Sequence, residues 1–584
     1  MLQTLIADRR FAAVGLLLVL VCGAVALWEP ALGFWCVAAA LLPILALVFL
    51  GKAPAARSGY ELLLGGFLLT CIVAWLVAYD PAAAREKMIA LFLAVLLFHA
   101  VAAQPEENLA WVTVTFAGLG LLVAAYFFLT HDFVEATKNF PVLRQAGGWL
   151  MRVRPPVDWA PIPSGQVAGL VALGVLGLVG AWSGWRSRWQ QALALIALGM
   201  AAVTVVLTTS ASVWVALAGA AGACLAALAL DRFFAKARAL LPVLLVLYLL
   251  VVSVALYIEA PAASANPNSF GQNNRVEVFV RSLDFLREYP FTGGGLASFA
   301  GQYSRYILNI PYFYFSTSYN LFLDVAIEQG LLAGLIVLAI YLSALWRVAR
   351  VPLVGWRSYG ALFVLVFVLI HSLMQDYLYT GPGAMALFFP VGLAWLLARP
   401  AALPRPALWQ AGTLFVLTLG ALGLISVQGG LRSAWYSNMG AVQLARVELD
   451  GFPNTGWPGL AIVPKLRSAT SSLQTSLELN ADNLTANYRL GLIHILSRDF
   501  PAAETALSHA YNLAPHHRGV IKSYGYALLW QGKLDEAYRL LGPLPEIPNE
   551  LDAYYSWWQE QGRPELADLA YALRQKLDEA PAQP

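Results

Sequence analysis

Between residues 271 and 330 the chain gathers side chains suited to holding an anionic, sugar-bearing ligand. Arg275 opens the segment, and Arg281, Asp284 and Arg287 follow at i+6, i+9 and i+12, which puts them on roughly one face of a helix. Glu288-Tyr-Pro-Phe-Thr-Gly-Gly-Gly295 comes next, then the aromatic run Tyr312-Phe313-Tyr314-Phe315. Tyr319-Asn320, Asp324 and Glu328-Gln329-Gly330 close it. Guanidinium forks match diphosphate oxygens, and aromatic rings stack on sugar faces. The same spacing serves a salt-bridged cap helix equally well, and spacing alone leaves both open.

A second polar group lies farther on, where His371-Ser372 sits in an apolar run and Asp376 follows five residues later. A polar residue inside a membrane helix is costly and is a functional candidate by default. The structural alternative is a histidine bonded to a hydroxyl or carbonyl of a neighbouring helix. Five residues are about 140° of helix, so His371 and Asp376 are expected to face different neighbours. His99 reads as structural, His131 lies at a membrane border, and the other four histidines belong to a polar tail. Phosphate loops, GxSxG and HExxH are absent from the sequence. Cys22, Cys36, Cys71 and Cys224 all lie in apolar runs. No metal centre or cofactor is expected.

These residues are positioned by a membrane domain. The chain has 584 residues, 59% hydrophobic and 12% charged, against about 25% charged in ordinary soluble domains. A net charge of +3 is too small to imply nucleic acid. Spans of roughly 17–25 residues read at 11–28, 31–50, 60–79, 88–103, 109–129, 165–182, 190–208, 212–230, 238–258, 327–346, 358–378, 382–398 and 407–427. With a cytoplasmic N-terminus, fourteen Lys and Arg fall in the cytoplasmic loops against two, Arg85 and Lys87, in the short loops opposite. Thirteen spans then leave everything after about 428 outside. Both long loops are external: 130–164, with Arg152 and Arg154, and 259–326.

From about 466 the tail turns to amphipathic helical periodicity. Leu490-Gly491 recurs as Tyr524-Gly525, and Ala503 as Ala537, each 34 residues on, and Pro515 closes the first unit. Gln561-Gly562 with Ala567 echoes Gln531-Gly532 with Ala537 as a shortened third unit. This is the tetratricopeptide pattern, expected to dock a protein partner.

The order of features over residues 1–430 resembles the superfamily of O-antigen ligases, O-antigen polymerases and bacterial O-oligosaccharyltransferases. That family has a basic residue opening a loop helix, a Pro-x-x-Gly-x-Gly turn and a His-Asn-x-x-Leu-x-x-x-x-Glu-x-Gly motif entering the next span. The matches are Arg275, Pro290 with Gly293 to Gly295, and Asn320, Leu323, Glu328 and Gly330. His371-Ser372 with Asp376 fits the family's later histidine–serine and acid. The resemblance implies a metal-independent glycosyltransferase whose donor is a polyprenyl-diphosphate-linked glycan. Its acceptor is a glycan, lipid or protein. Arg275, Tyr319 and His371 are then the catalytic candidates, while Arg281, Arg287, Arg152, Arg154, Asn320, Glu328 and Asp376 are the substrate-binding ones. Two positions depart from the family: Tyr319 stands where the loop histidine is usual, and Ala211 where an arginine follows Thr-x-Ser. Arg281, Arg152 and Arg154 are the candidates to replace the missing charge. A phenol, with a pKa near 10, is a poor base at neutral pH.

The expected fold is all-α: a polytopic membrane helix bundle of about thirteen spans over 1–430, a linker at 431–465 and an external repeat domain at 466–584. The expected location is the bacterial plasma membrane, with the repeat domain periplasmic. The rival functions are a catalytically silent glycan-binding relative in a polysaccharide assembly complex and, less favoured, a polysaccharide transporter. A transporter wants ionisable residues at mid-membrane depth, and the spans hold almost none.

Overall fold

A computed structural model describes residues 9–49, 60–136, 141–181, 188–233, 275–307, 315–351, 355–399, 429–454 and 459–579. These residues form helices and no strands. In hydrocarbon a lone segment satisfies its own backbone groups only as a helix, and Leu-, Ala- and Val-rich runs supply the apolar surface. Six helices among the described residues are long and apolar enough to cross a membrane: Arg9–Trp28, Glu106–Thr130, Arg188–Leu207, Ala211–Leu230, Leu331–Arg350 and Gly381–Ala398. Four more apolar helices are shorter: Pro30–Ala46, Glu61–Val77, Ser164–Val179 and Trp356–Ser372.

The thirteen expected spans therefore appear in altered form. Those at 238–258 and 407–427 lie outside the described residues. The one at 88–103 is the later part of a longer helix, Pro81–Ala102, whose first turns carry Arg85, Glu86 and Lys87. The one at 358–378 stops at Ser372, and Asp376 lies in the turn beyond, where its carboxylate accepts from Thr380 (Oγ1–Oδ2 2.6 Å). His371 and Asp376 thus do not share a helix, and the 140° relation does not apply.

Pro81–Ala102 is the central post of the membrane domain. Asp80 caps it by accepting from the Ala82 and Ala83 amides, and Pro81 occupies the first turn, where no amide is needed. From Met88 to Ala102 nearly every side chain is buried in one apolar cluster that joins the surrounding helices. Small residues bring backbones together. A Cβ on Gly174 would lie 2.8 Å from the Phe116 carbonyl oxygen and 3.0 Å from Gly120 Cα, so Ser164–Ala181 and Leu109–Thr130 cross closely.

The stretch 431–465, expected as a linker, holds a 20-residue helix, Gly429–Glu448. It packs on Arg467–Leu479 and Leu484–Leu496 because Ala441, Leu444 and Ala445 form a buried edge. Helix pairs follow: Leu484–Leu496 with Phe500–Leu513, Arg518–Leu529 with Leu534–Leu541, and Ile547–Glu560 with Pro564–Glu579. Inside the first two pairs the same contact recurs. A Cβ on Gly491 would lie 2.4 Å from Leu507 Cγ, and one on Gly525 would lie 2.5 Å from Leu541 Cγ. Both members are displaced by 34 residues, from 491 to 525 and from 507 to 541.

Between the second and third pairs, charge is buried together with a partner of opposite sign. Lys522 Nζ lies 2.5 Å from Glu550 Oε1, and the Tyr526 hydroxyl donates to Glu550 Oε2 at 2.7 Å. Burial works against the charge on Glu546, but Lys522 and Arg518 outweigh it and hold the carboxyl below its usual range. Removing one partner of such a pair strands the other.

Gly491→Ala and Gly525→Ala should each destabilise the helix pair by about 1–3 kcal/mol, the cost of overpacking a tight contact. Thermal unfolding of the purified full chain measures this, and an unchanged midpoint in both variants would show that the helices separate freely.

Candidate functional site

The site is organised by a glycine turn, Pro290 to Leu296, docked by its backbone on two helix ends. Gly294 N donates to Ile327 O (2.8 Å), Gly295 N to Glu328 O (3.1 Å), Leu331 N to Pro290 O (3.0 Å) and Leu296 N to Ala74 O (3.2 Å). Gly293 and Gly330 have φ of 67° and 89°, values that favour glycine. Space excludes a side chain as well: a Cβ on Gly293 would lie 2.2 Å from the Glu328 carbonyl carbon, and one on Gly330 2.2 Å from Phe291 O. The Pro-x-x-Gly-x-Gly and Glu-x-Gly motifs are therefore two sides of one contact.

That contact fixes Glu328. Its Oε2 accepts from the Ala297 amide (3.1 Å) and from Lys87 Nζ (2.7 Å). Lys87 also stands 3.7 Å over the Tyr379 ring, a cation–π contact. The ammonium has three donors, one of them committed to Glu328. The pair borders a cavity of about 370 Å³, where Glu86, Ser316 and Thr380 share the wall with Leu27, Ile89, Phe299 and Met385. An apolar groove of about 310 Å³ runs between the Arg9–Trp28, Leu109–Thr130 and Ser164–Ala181 helices. Leu27, Pro382 and Met385 line both, so a chamber that bears Lys87, Glu86 and Glu328 and an apolar groove share a wall.

Next to a residue of the chamber wall, Thr380, lies a buried acid pair. Asn320 caps Leu321–Gln329, accepting from Leu323 N (3.0 Å), and its Nδ2 donates to Leu373 O (3.4 Å). Asp324, 2% exposed, accepts from Ser318 N at 2.8 Å through Oδ1. Burial pushes its carboxyl well above the usual range, and the charge of nearby Asp376 adds to the effect. Thr380, which lines the chamber, donates to Asp376 and accepts from Gln166 Nε2 (2.9 Å). Thr380 thus links Asp376 to the chamber.

The other expected residues fall in different places. Tyr319 has φ 59° and packs half-buried against Phe285, Leu323 and their neighbours. His371 is fully buried, stacked on Phe367 and edge-on to Tyr377. Its Nε2 lies 3.4 Å from the Ser212 hydroxyl, and Ser212 contacts Ser210 at 2.9 Å. The Thr-x-Ser stretch and the His-Ser stretch therefore meet, with Ala211 exposed beside them. Arg281 is half-buried on Arg275–Glu288, while Arg287 is exposed and 3.9 Å from Asp284. The Arg275 side chain and residues 312–314 lie outside the described part. Arg152 and Arg154 are not brought to the chamber: Arg152 is exposed on Pro141–Val153, and Arg154 donates to His131 O at 2.5 Å.

Three residues to which the sequence reading gave no role enter the site. Lys87 was counted only as a loop charge, although a charged trio opening an apolar helix was a visible signal. Asp324 sits one turn past the Asn320 cap. Asn438, fully buried on Gly429–Glu448, accepts from Phe291 N (3.1 Å) and donates to Thr292 Oγ1 (2.8 Å). It grips the glycine turn from the C-terminal domain. Nothing local marks it.

Residues 195–338 match the family model described as O-antigen ligase. No curated protein and no solved structure matches the chain. The matched stretch holds Arg275–Glu288, the glycine turn and Leu321–Gln329; Lys87, His371 and Asp376 lie outside it. The match supports the O-antigen ligase superfamily and, with the apolar helices, an O-antigen ligase-type glycosyltransferase in a multi-pass bacterial membrane protein.

Asp324 supplies a test of the acid pair. A carboxyl raised by folding contributes stability below its ordinary pKa of about 4, and that contribution is lost as pH rises through the folded value. Asp324→Asn keeps an acceptor for Ser318 and removes the titration. The variant's advantage in unfolding temperature over wild type should therefore grow from pH 5 to pH 8. Burial depresses the pKa of His517, but its titration is common to both proteins and cancels. A constant difference across that range would show that Asp324 does not titrate there.

Proposed function

We propose that this protein transfers a glycan from a polyprenyl-diphosphate donor to a glycan, lipid or protein acceptor at the external face of the plasma membrane. The observation that carries the reading is the wall shared by the charge-bearing chamber and the apolar groove. An isoprenoid tail fits the groove, while the diphosphate and first sugar fit the chamber. In the reaction an acceptor hydroxyl attacks the anomeric carbon, the bond to diphosphate breaks, and the hydroxyl proton passes to a base. The departing charge is the main electrostatic demand. Lys87 alone does not meet it, because Glu86 and Glu328 border the same chamber. Arg275 and Arg281, on the helix that packs over Leu321–Gln329, are assigned the rest of the diphosphate. Asp376, which Thr380 joins to the chamber wall and whose charge acts on buried Asp324, is the proton acceptor of choice, since Tyr319 is a weak base. His371 is assigned a supporting role behind it.

The second reading, a catalytically silent glycan binder, draws on Tyr319. Its half-burial among apolar side chains fits a packing residue better than a catalyst.

We further propose thirteen spans, a cytoplasmic N-terminus and a periplasmic tetratricopeptide-like domain that docks a protein partner. The 34-residue recurrence of the glycine–leucine contact supports the repeat class.

Lys87→Ala should lower transfer by about 10²-fold, the scale for loss of one preorganised charge, with normal protein in the membrane. Lipid-linked donor and finished glycan are counted by mass spectrometry and gel. Normal product length and yield would remove the chamber from the reaction, and donor binding without turnover in wild type would favour the silent relative.

The topology is tested separately. A cysteine replacing Lys533, which is 39% exposed beside Glu504, should react with an impermeant maleimide once the outer membrane is permeabilised. Labelling only after inner-membrane lysis would place the tail in the cytoplasm.

A further inference from the structure

The Pro141–Val153 helix carries an apolar stripe that no part of the described protein covers. Val142, Trp149 and Val153 are 78%, 63% and 63% exposed, and with exposed Ala146 they fall within about 60° of one another at 100° per residue. The neighbouring face is committed to the protein. Leu143, Leu150 and Met151 pack against the membrane core, and a Cβ on Gly147 would lie 2.7 Å from Phe133 Cβ. Arg152, also exposed, flanks the stripe.

The surroundings say what occupies it. The helix is tied to the end of a membrane span: Arg154 donates to the carbonyl of His131, the residue that follows Leu109–Thr130. At that same end Trp159, 54% exposed, stacks on Tyr126 with ring centroids 5.7 Å apart and planes 9° apart. The Tyr126 hydroxyl donates to Ala160 O at 2.7 Å. Trp and Tyr collect where hydrocarbon meets water. Along the same span Val114 is exposed, and Leu119 and Leu122 open onto the apolar groove, so the helix to which the stripe is tied carries uncovered apolar side chains of its own.

We propose that Pro141–Val153 is an interfacial helix lying in the bilayer surface, with Val142, Trp149 and Val153 in the acyl boundary and Arg152 at the level of anionic headgroups. Helices of this kind bury their apolar face roughly 5–10 Å into the boundary. This gives Arg152 a lipid partner in place of the donor diphosphate. It also anchors the 130–164 loop to the membrane plane, which holds the mouth of the bundle at a set height.

The test uses the full chain with its four cysteines replaced by alanine and one fluorophore-bearing cysteine at Trp149, Val142 or Arg144. The proteins are reconstituted in phosphatidylcholine vesicles, with and without phosphatidylglycerol, containing lipids brominated along the chain. Emission from positions 142 and 149 should be blue-shifted and quenched several-fold more strongly than emission from 144. Equal quenching at all three positions overturns the proposal. So does a label at 149 that neither bromolipid nor aqueous iodide reaches, since that would mean a protein segment or a second copy covers the stripe. Arg152→Glu should weaken the quenching at 149 more with phosphatidylglycerol present than without it, and an equal change in both overturns the headgroup contact. Glycan transfer plays no part in the readout, so the outcome stands apart from that of the catalytic proposal.

Discussion

The backbone contact between the glycine turn and the Glu328–Gly330 corner carries the rest of the site. Four amide–carbonyl bonds join segments that lack room for a side chain at Gly293 and Gly330. A Cβ at Gly293 or Gly330 would collide with backbone, which cannot move aside as a flexible side chain does. The contact ties Leu321–Gln329 to Glu61–Val77 and aims Glu328 at the Ala297 amide and Lys87. Loss of this fit would release the carboxylate, the lysine and the chamber wall together.

The C-terminal domain braces the same turn. Asn438 bonds its backbone, Arg489 pairs with Glu288 just before it, and Arg305 pairs with Glu448 at 3.3 Å. Arg446 Nε donates to the Ala78 carbonyl at 3.2 Å. Arg489 and Glu288 are both buried, and such pairs cost desolvation while setting geometry. The domain is therefore a structural part of the site. The apolar cluster of the membrane helices holds the opposite wall, where the groove runs along Arg9–Trp28.

Local pattern determined much of this from the sequence. Uncharged apolar runs dictate membrane helices, because hydrocarbon leaves a segment no other way to satisfy its backbone. The 34-residue recurrence led to matching glycine–leucine contacts, since a repeat re-creates the same packing at each step. The glycine motifs and Asn320 were marked as site elements by the family resemblance, and the structure supplies the physical reason: positive φ at Gly293 and Gly330 and a helix cap at Asn320. Their order pointed to the O-antigen ligase type.

Tertiary structure alone decided which of these elements meet. Lys87 and Glu328 are 241 residues apart, and Asn438 and Phe291 are 147 apart; periodicity carries no information about such pairings. Whether a polar residue ends a helix or continues it depends on what packs beside it. That is why His371 and Asp376, one span by hydropathy, part at Ser372. Exposure is likewise a property of the assembled surface. Arg152 and Arg281 are the same side chain in similar loops, yet packing leaves one on the outer rim beside an apolar stripe and half-buries the other over Leu321–Gln329.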